Sequence, residues 1–98
     1  MYDTLVAAIN GRLLLCLWYP PGLRTVEPHA FGTGTDGQLL LRAFQIEGAS
    51  ESGEHINWKL FRLDRMRDVD TNGQTFAGPR PEYKQNDRAM TRGVIAQL

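Results

Sequence analysis

Cysteine is almost missing from this chain of 98 residues. Cys16 stands alone, so neither an internal disulfide nor a thiolate metal cluster is possible. It lies in the run Leu13-Leu-Leu-Cys-Leu-Trp18, where a small buried hydrophobe is the expected role. Net charge is missing too. Lys plus Arg and Asp plus Glu number 11 each, which removes the positive excess behind a strong non-specific grip on duplex nucleic acid. No apolar run is long enough to span a membrane, and Asp3 sits among first residues unlike a signal peptide. A soluble, reducing, cytoplasmic setting is the default expectation.

Catalytic signatures are also wanting. There is no Gly-x-Ser-x-Gly turn and no phosphate-binding glycine loop ahead of a lysine. Gly32-Thr-Gly34 is only a fragment of such a loop, with no predicted helix after it. His29 and His55 lack metal-ligand spacing. No catalytic residue, metal or cofactor is therefore expected, and the chain is read as a non-enzyme.

What is present is enough for one modest core. The length allows a single domain, and the 42% apolar content with 9% aromatics argues against disorder. Tyr2 to Asn10 reads as a short helix capped by Asp3 and stopped at Asn10-Gly11. Arg12 to Tyr19 reads as a buried strand, and Pro20-Pro21-Gly22 forces a turn. Leu23 to Pro28 is a second strand ended by its proline, with His29 to Gly37 a loop. Gln38 to Glu47 alternates apolar and polar side chains, residues 48–57 form a hairpin tip, and Trp58 to Met66 returns as a strand. Thr71-Asn72-Gly73 is a tight-turn signal. After Gly78-Pro79-Arg80-Pro81 the tail turns irregular, with a short helix predicted from Asp87. The fold expected is mainly β: a small barrel of about five strands over residues 12–76, an N-terminal helix, and an irregular or helical tail over 77–98.

Nine of the 11 basic residues are arginine, a bias that suits planar recognition of carboxylate or phosphate. Arg62 lies inside the apolar alternation Trp58-Lys-Leu-Phe-Arg-Leu-Asp-Arg-Met-Arg67 and asks for an anionic partner. Glu27, Asp64 or a ligand would serve. Pairing of the third and fourth strands places Leu40, Arg42 and Phe44 beside Leu60 and Arg62. With Arg24, these arginines either share one surface for an anionic ligand or end separately on Glu27, Asp64 and Asp68.

The segments Leu-Trp-Tyr19, Arg24-Thr-Val-Glu-Pro28, Leu39-Leu-Leu-Arg-Ala43 and Phe61-Arg-Leu-Asp-Arg-Met66 together resemble the WYL domain of bacterial transcriptional regulators. The resemblance runs from about Arg12 to Phe76. It implies an SH3/Sm-like barrel that binds nucleotide-like or single-stranded nucleic-acid ligands through a basic groove and tunes an attached regulator. Leu39-Leu40-Leu41 stand where the name-giving Trp-Tyr-Leu triplet is usual, and the pattern is that of a short stand-alone variant lacking the helix-turn-helix. Arg24, Arg62 and Arg65 inherit the ligand-binding expectation; His29, Arg42 and Lys59 complete the candidate set. The partner expected is an anionic small molecule or a short single strand. The competing expectation is a docking or homo-oligomerising module whose groove has been lost.

Overall fold

The computed structural model describes residues 1–98. Helix α1 (Tyr2–Gly11) buries Leu5, Ala8 and Ile9, the one-face spacing that lets a short helix lie on a sheet. Asp3 occupies its first turn, while Met1 takes the N-cap position. The helix ends at Arg12, which adopts a left-handed φ of 52° and sends its N–H back to the carbonyls of Ala8 and Ile9.

Six strands follow, one more than the predicted five. Strands β1 (Leu13–Tyr19) and β2 (Gly22–Thr33) form a hairpin, and β3 (Leu39–Gly48) pairs with β2. The expectation that β2 stops at Pro28 is corrected: it runs on for five more residues, through His29. Proline cannot donate to a ladder, and the register of β2 on β3 shifts between Pro28 and Ala30. That irregularity lets the strand pass its proline. Next come β4 (Asn57–Arg62), a 3-10 turn (Leu63–Arg65) and β5 (Arg67–Thr75). The predicted strand from Trp58 to Met66 is thus broken after Arg62, and Thr71-Asn72-Gly73 lies within β5, Gly73 having φ 81°.

The tail contains no helix. Asp87 instead nucleates a turn, its carboxylate accepting from the Ala89 N–H at 2.9 Å. Past Gly93, whose φ is 117°, the chain enters β6 (Val94–Gln97), which pairs with β2. The strand order is β4-β3-β2-β1-β5, with β6 laid against the far part of β2. This antiparallel sheet curls in a barrel-like way around a core that includes Leu15, Leu17, Val26, Phe31, Leu41 and Phe61, with Leu5 and Ile9 of α1 packed in. A smaller cluster of Ala30, Leu40 and Met90 lies where the tail covers the sheet. No helix is long and apolar enough to cross a membrane.

Candidate functional site

The period of the strands divides the six candidate residues between two places. On β4, Lys59 and Phe61 lie opposite Ala43 and Leu41, whereas Leu60 and Arg62 lie opposite Arg42 and Leu40. Side chains alternate across a strand, so Lys59 and Arg42 cannot share a surface. Leu40, Arg42 and Phe44 do align with Arg62, Leu60 and Trp58 as the alternation predicts. Arg24 does not join them.

Arg24 sits at the start of β2, only 5% exposed. Its guanidinium lies 5.2 Å from the Tyr19 ring centre and 5.4 Å from that of Phe61. Nε donates to the Tyr19 carbonyl at 3.3 Å, Nη2 to the Pro20 carbonyl, and Nη1 to Oε1 of Gln45 at 3.4 Å. None of these partners is a carboxylate. Burial pulls its pKa below the usual arginine range, while Glu51 and Tyr19 act to raise it. An arginine nevertheless stays protonated in a protein. Three bonds also leave part of a five-donor group unused.

Two further cations lie near it. Lys59 Nζ donates to the hydroxyls of Ser50 at 2.9 Å and Ser52 at 3.3 Å. Arg65, carried by the 3-10 turn, lies 5.2 Å over the Tyr19 ring that also carries Arg24. Its Nη2 is 3.6 Å from Glu51. A recess of about 210 Å³ opens here, lined by Tyr19, Arg24, Glu51, Ser52, Lys59, Leu60 and Phe61. Neither Arg24 nor Lys59 belongs to any of the molecule's four ion pairs.

The other candidates end on protein groups. Arg42 grips Asp87 of the tail through Nε at 2.6 Å and Nη2 at 3.3 Å. That hydrogen bonding holds the Asp87 carboxyl below its ordinary range against the opposing effect of burial. Arg62 reaches Asp64 at 2.8 Å, an exposed pair. Glu27, expected as a partner for the arginines of the strands, is instead taken by Arg80 through two bonds of 2.8 and 3.0 Å. A larger hollow of about 420 Å³ lies among Arg42, Trp58, Tyr83 and Arg88, but its Arg42 is already neutralised.

His29, expected among the ligand-binding residues, is fully buried in the structure. Its ring lies edge-on to Trp58 and Tyr83 and stacks on Phe76. Nε2 accepts the Arg80 backbone N–H at 3.1 Å, so Nδ1 carries the proton and donates to the Glu27 carbonyl at 2.8 Å. Burial lowers its pKa. Both ring nitrogens are thus committed within the fold.

Gln45 is the residue that reading by charge passes over. It is fully buried, and its position in the sequence carries a signal. The apolar face Leu39, Leu41, Ala43 continues by the same period onto this polar amide, which must find partners there.

No protein-family model matches the chain, and no curated protein matches it. Among solved structures it is similar to the proteasome accessory factor B/C (PafBC) of Arthrobacter aurescens, with 24% identity and a TM-score of 0.67. The match covers 86% of this chain but 13% of that one. The likeness is one of fold, and the fold is WYL-like.

Proposed function

We propose that this chain is a non-enzymatic, regulatory ligand-binding module that takes an anionic ligand, nucleotide-like or a short nucleic-acid single strand, at the Arg24, Lys59 and Arg65 recess. The observation that carries this reading is Arg24: a nearly buried guanidinium at the wall of an open recess, with no carboxylate bonded to it. Burying a cation is costly unless it is paired. Carbonyls, an amide and two aromatic faces offset part of that cost, and an oxyanion from outside would offset more. Lys59 and Arg65 add charge at the rim, while the exposed Leu60 gives a base or other flat body an apolar surface to rest on. The likeness of fold to part of a much longer protein supports a module that works within a larger regulator. Arg42, Arg62 and His29 then serve the fold, and the site is smaller than the sequence suggests.

The test is fluorescence anisotropy with a labelled short oligothymidylate across a salt series. Lys59→Ala combined with Arg65→Ala should weaken binding and flatten the salt dependence by roughly 0.7 in log–log slope for each phosphate that is no longer neutralised. Arg88→Ala, beyond the recess, should leave both unchanged. Equal binding by all three proteins removes the site.

A second reading, docking on another protein or a second copy, is favoured by Leu23 and Ile56, each 68% exposed. Light scattering that shows a monomer at high concentration excludes the homo-oligomeric form.

A further inference from the structure

The loop joining β3 to β4, residues 49–56, is solvent-facing yet tethered at its neck. Gln45 Nε2 donates to the Ala49 carbonyl at 2.8 Å and to the His55 carbonyl at 3.1 Å, so one buried amide holds both ends together. The same side chain accepts from Arg24. His55 Nδ1 adds a bond of 2.7 Å to the Gly48 carbonyl. Gly48 makes the fold-back possible: its φ is 111°, and a Cβ there would lie 2.3 Å from the Leu23 carbonyl oxygen.

Beyond this neck, Ser50, Glu51 and Ser52 come down on the cations of the recess. The two hydroxyls face Lys59 Nζ and lie 3.0 Å from each other. The Glu51 carboxylate approaches Arg65 and is the acidic side chain whose charge acts on Arg24. One anionic group flanked by two neutral oxygens therefore contacts Arg65 and Lys59 and lines the same recess as Arg24. Glu54, three residues on, is turned away and bonds Asn57 at 2.6 Å.

We propose that Ser50-Glu51-Ser52 is a built-in occupant of the recess, holding the place of the ligand's anionic group until a ligand displaces it. This rests on the anion-site reading of the same recess. The ligand class that matches the occupant is an oxyanion flanked by further acceptor oxygens, as a phosphodiester presents. Its charge replaces Glu51 at Arg24 and Arg65, and its other oxygens replace the serine hydroxyls at Lys59. Gln45 keeps the neck closed during the exchange, so the tip swings while Arg24 stays anchored. Gln45 is in this sense a positioning residue.

The closing experiment measures affinity for the labelled oligothymidylate in the intact protein, Glu51→Gln and Glu54→Gln. Both substitutions remove one negative charge from the same loop, but only the first removes the occupant. Glu51→Gln should bind about two- to five-fold tighter, the gain from deleting one exposed competing ion pair, with Glu54→Gln unchanged. Equal tightening in both variants means a general charge effect and overturns the proposal. Binding by the intact protein with no gain in Glu51→Gln overturns it as well, and leaves the anion site standing. Absence of binding in all three proteins overturns the anion site, and the occupant with it.

Discussion

Cations where the tail crosses the sheet end on carboxylates, whereas at the recess Arg24 and Lys59 end on neutral groups and Arg65 alone approaches an acid, Glu51. Where the tail crosses the sheet, Arg42 grips Asp87 and Arg80 grips Glu27, each through two bonds. Arg80 also lies 4.3 Å over the Phe44 ring. At the recess, Arg24 meets carbonyls and an amide, and Lys59 meets two hydroxyls. The side chains are of one kind; what differs is what the chain folds over them. Glu27 is mostly buried and would be an isolated charge without the tail, so its pair with Arg80 belongs to stability. The recess has cations in excess of its single acid, and an arrangement of that sort suits an exchangeable partner.

The largest effect should come from breaking the paired side. Arg80→Ala leaves Glu27 buried and unpaired, but keeps the backbone N–H that His29 accepts. Breaking a fully buried pair costs several kcal/mol; with the Arg80 side chain 40% exposed, solvent screening reduces the expected loss to about 2 kcal/mol. A urea titration reads it as a lower midpoint, while affinity for the oligothymidylate holds. A midpoint that does not move would dissolve the contrast between the two sides. Asp87→Asn is milder, because the amide oxygen still accepts from Arg42 or from the Ala89 N–H. A loss of about 1 kcal/mol is expected.

How far these two sides were legible in sequence follows from how local each determinant is. Helix α1 and strands β1 and β3 fall close to their predicted limits, because apolar period and flanking glycine or proline decide them. The facing of Arg42 and Leu60 was legible for the same reason. Passage of β2 through Pro28 was not, since the tolerance comes from a register shift against a partner strand. Nor was β6, because Val94–Gln97 is a strand only where β2 offers it an edge. Among the candidates, Arg24 and Lys59 line one recess, and Arg65 shares the Tyr19 ring with Arg24. The sequence did not show that grouping, since charge alone suggested Arg24, Arg42 and Arg62 on one surface. Charge could not separate them from Arg42 and Arg62, whose carboxylates lie 45 and two residues away along the chain. Glu51 and its serines lacked any signal beyond the polarity expected of a hairpin tip.

Acid should loosen the paired side by a smaller step. The buried His29 ring is held neutral, with its pKa lowered from 6.5 chiefly by desolvation; Glu27 and Arg80 are the charges that face it. Between the folded and unfolded values the unfolded chain binds more protons, so stability rises with pH through that window. The contribution is complete above about pH 6.5 and is lost as pH falls through the folded value. Protonation of Nε2 forfeits one hydrogen bond from Arg80 rather than an ion pair, hence the smaller size. Asp87, also lowered, adds a second loss of the same sign below its usual 3.8. Urea midpoints taken between about pH 7 and pH 5 should flatten in His29→Gln; an unchanged slope would mean that another group titrates.

Least of all should be the cost of Lys59→Ala to the fold. Its ammonium bonds only two hydroxyls of a solvent-facing loop, and a substitution of that kind moves stability by no more than about 0.5 kcal/mol. Binding of the oligothymidylate should nevertheless weaken and lose part of its salt dependence. Arg80→Ala has the opposite signature, a lower urea midpoint with affinity intact. Measured together, the two variants separate a cation that holds the fold from one that waits for a ligand. Should Lys59→Ala destabilise the protein as much as Arg80→Ala does, the recess would be a structural network like the tail clamp.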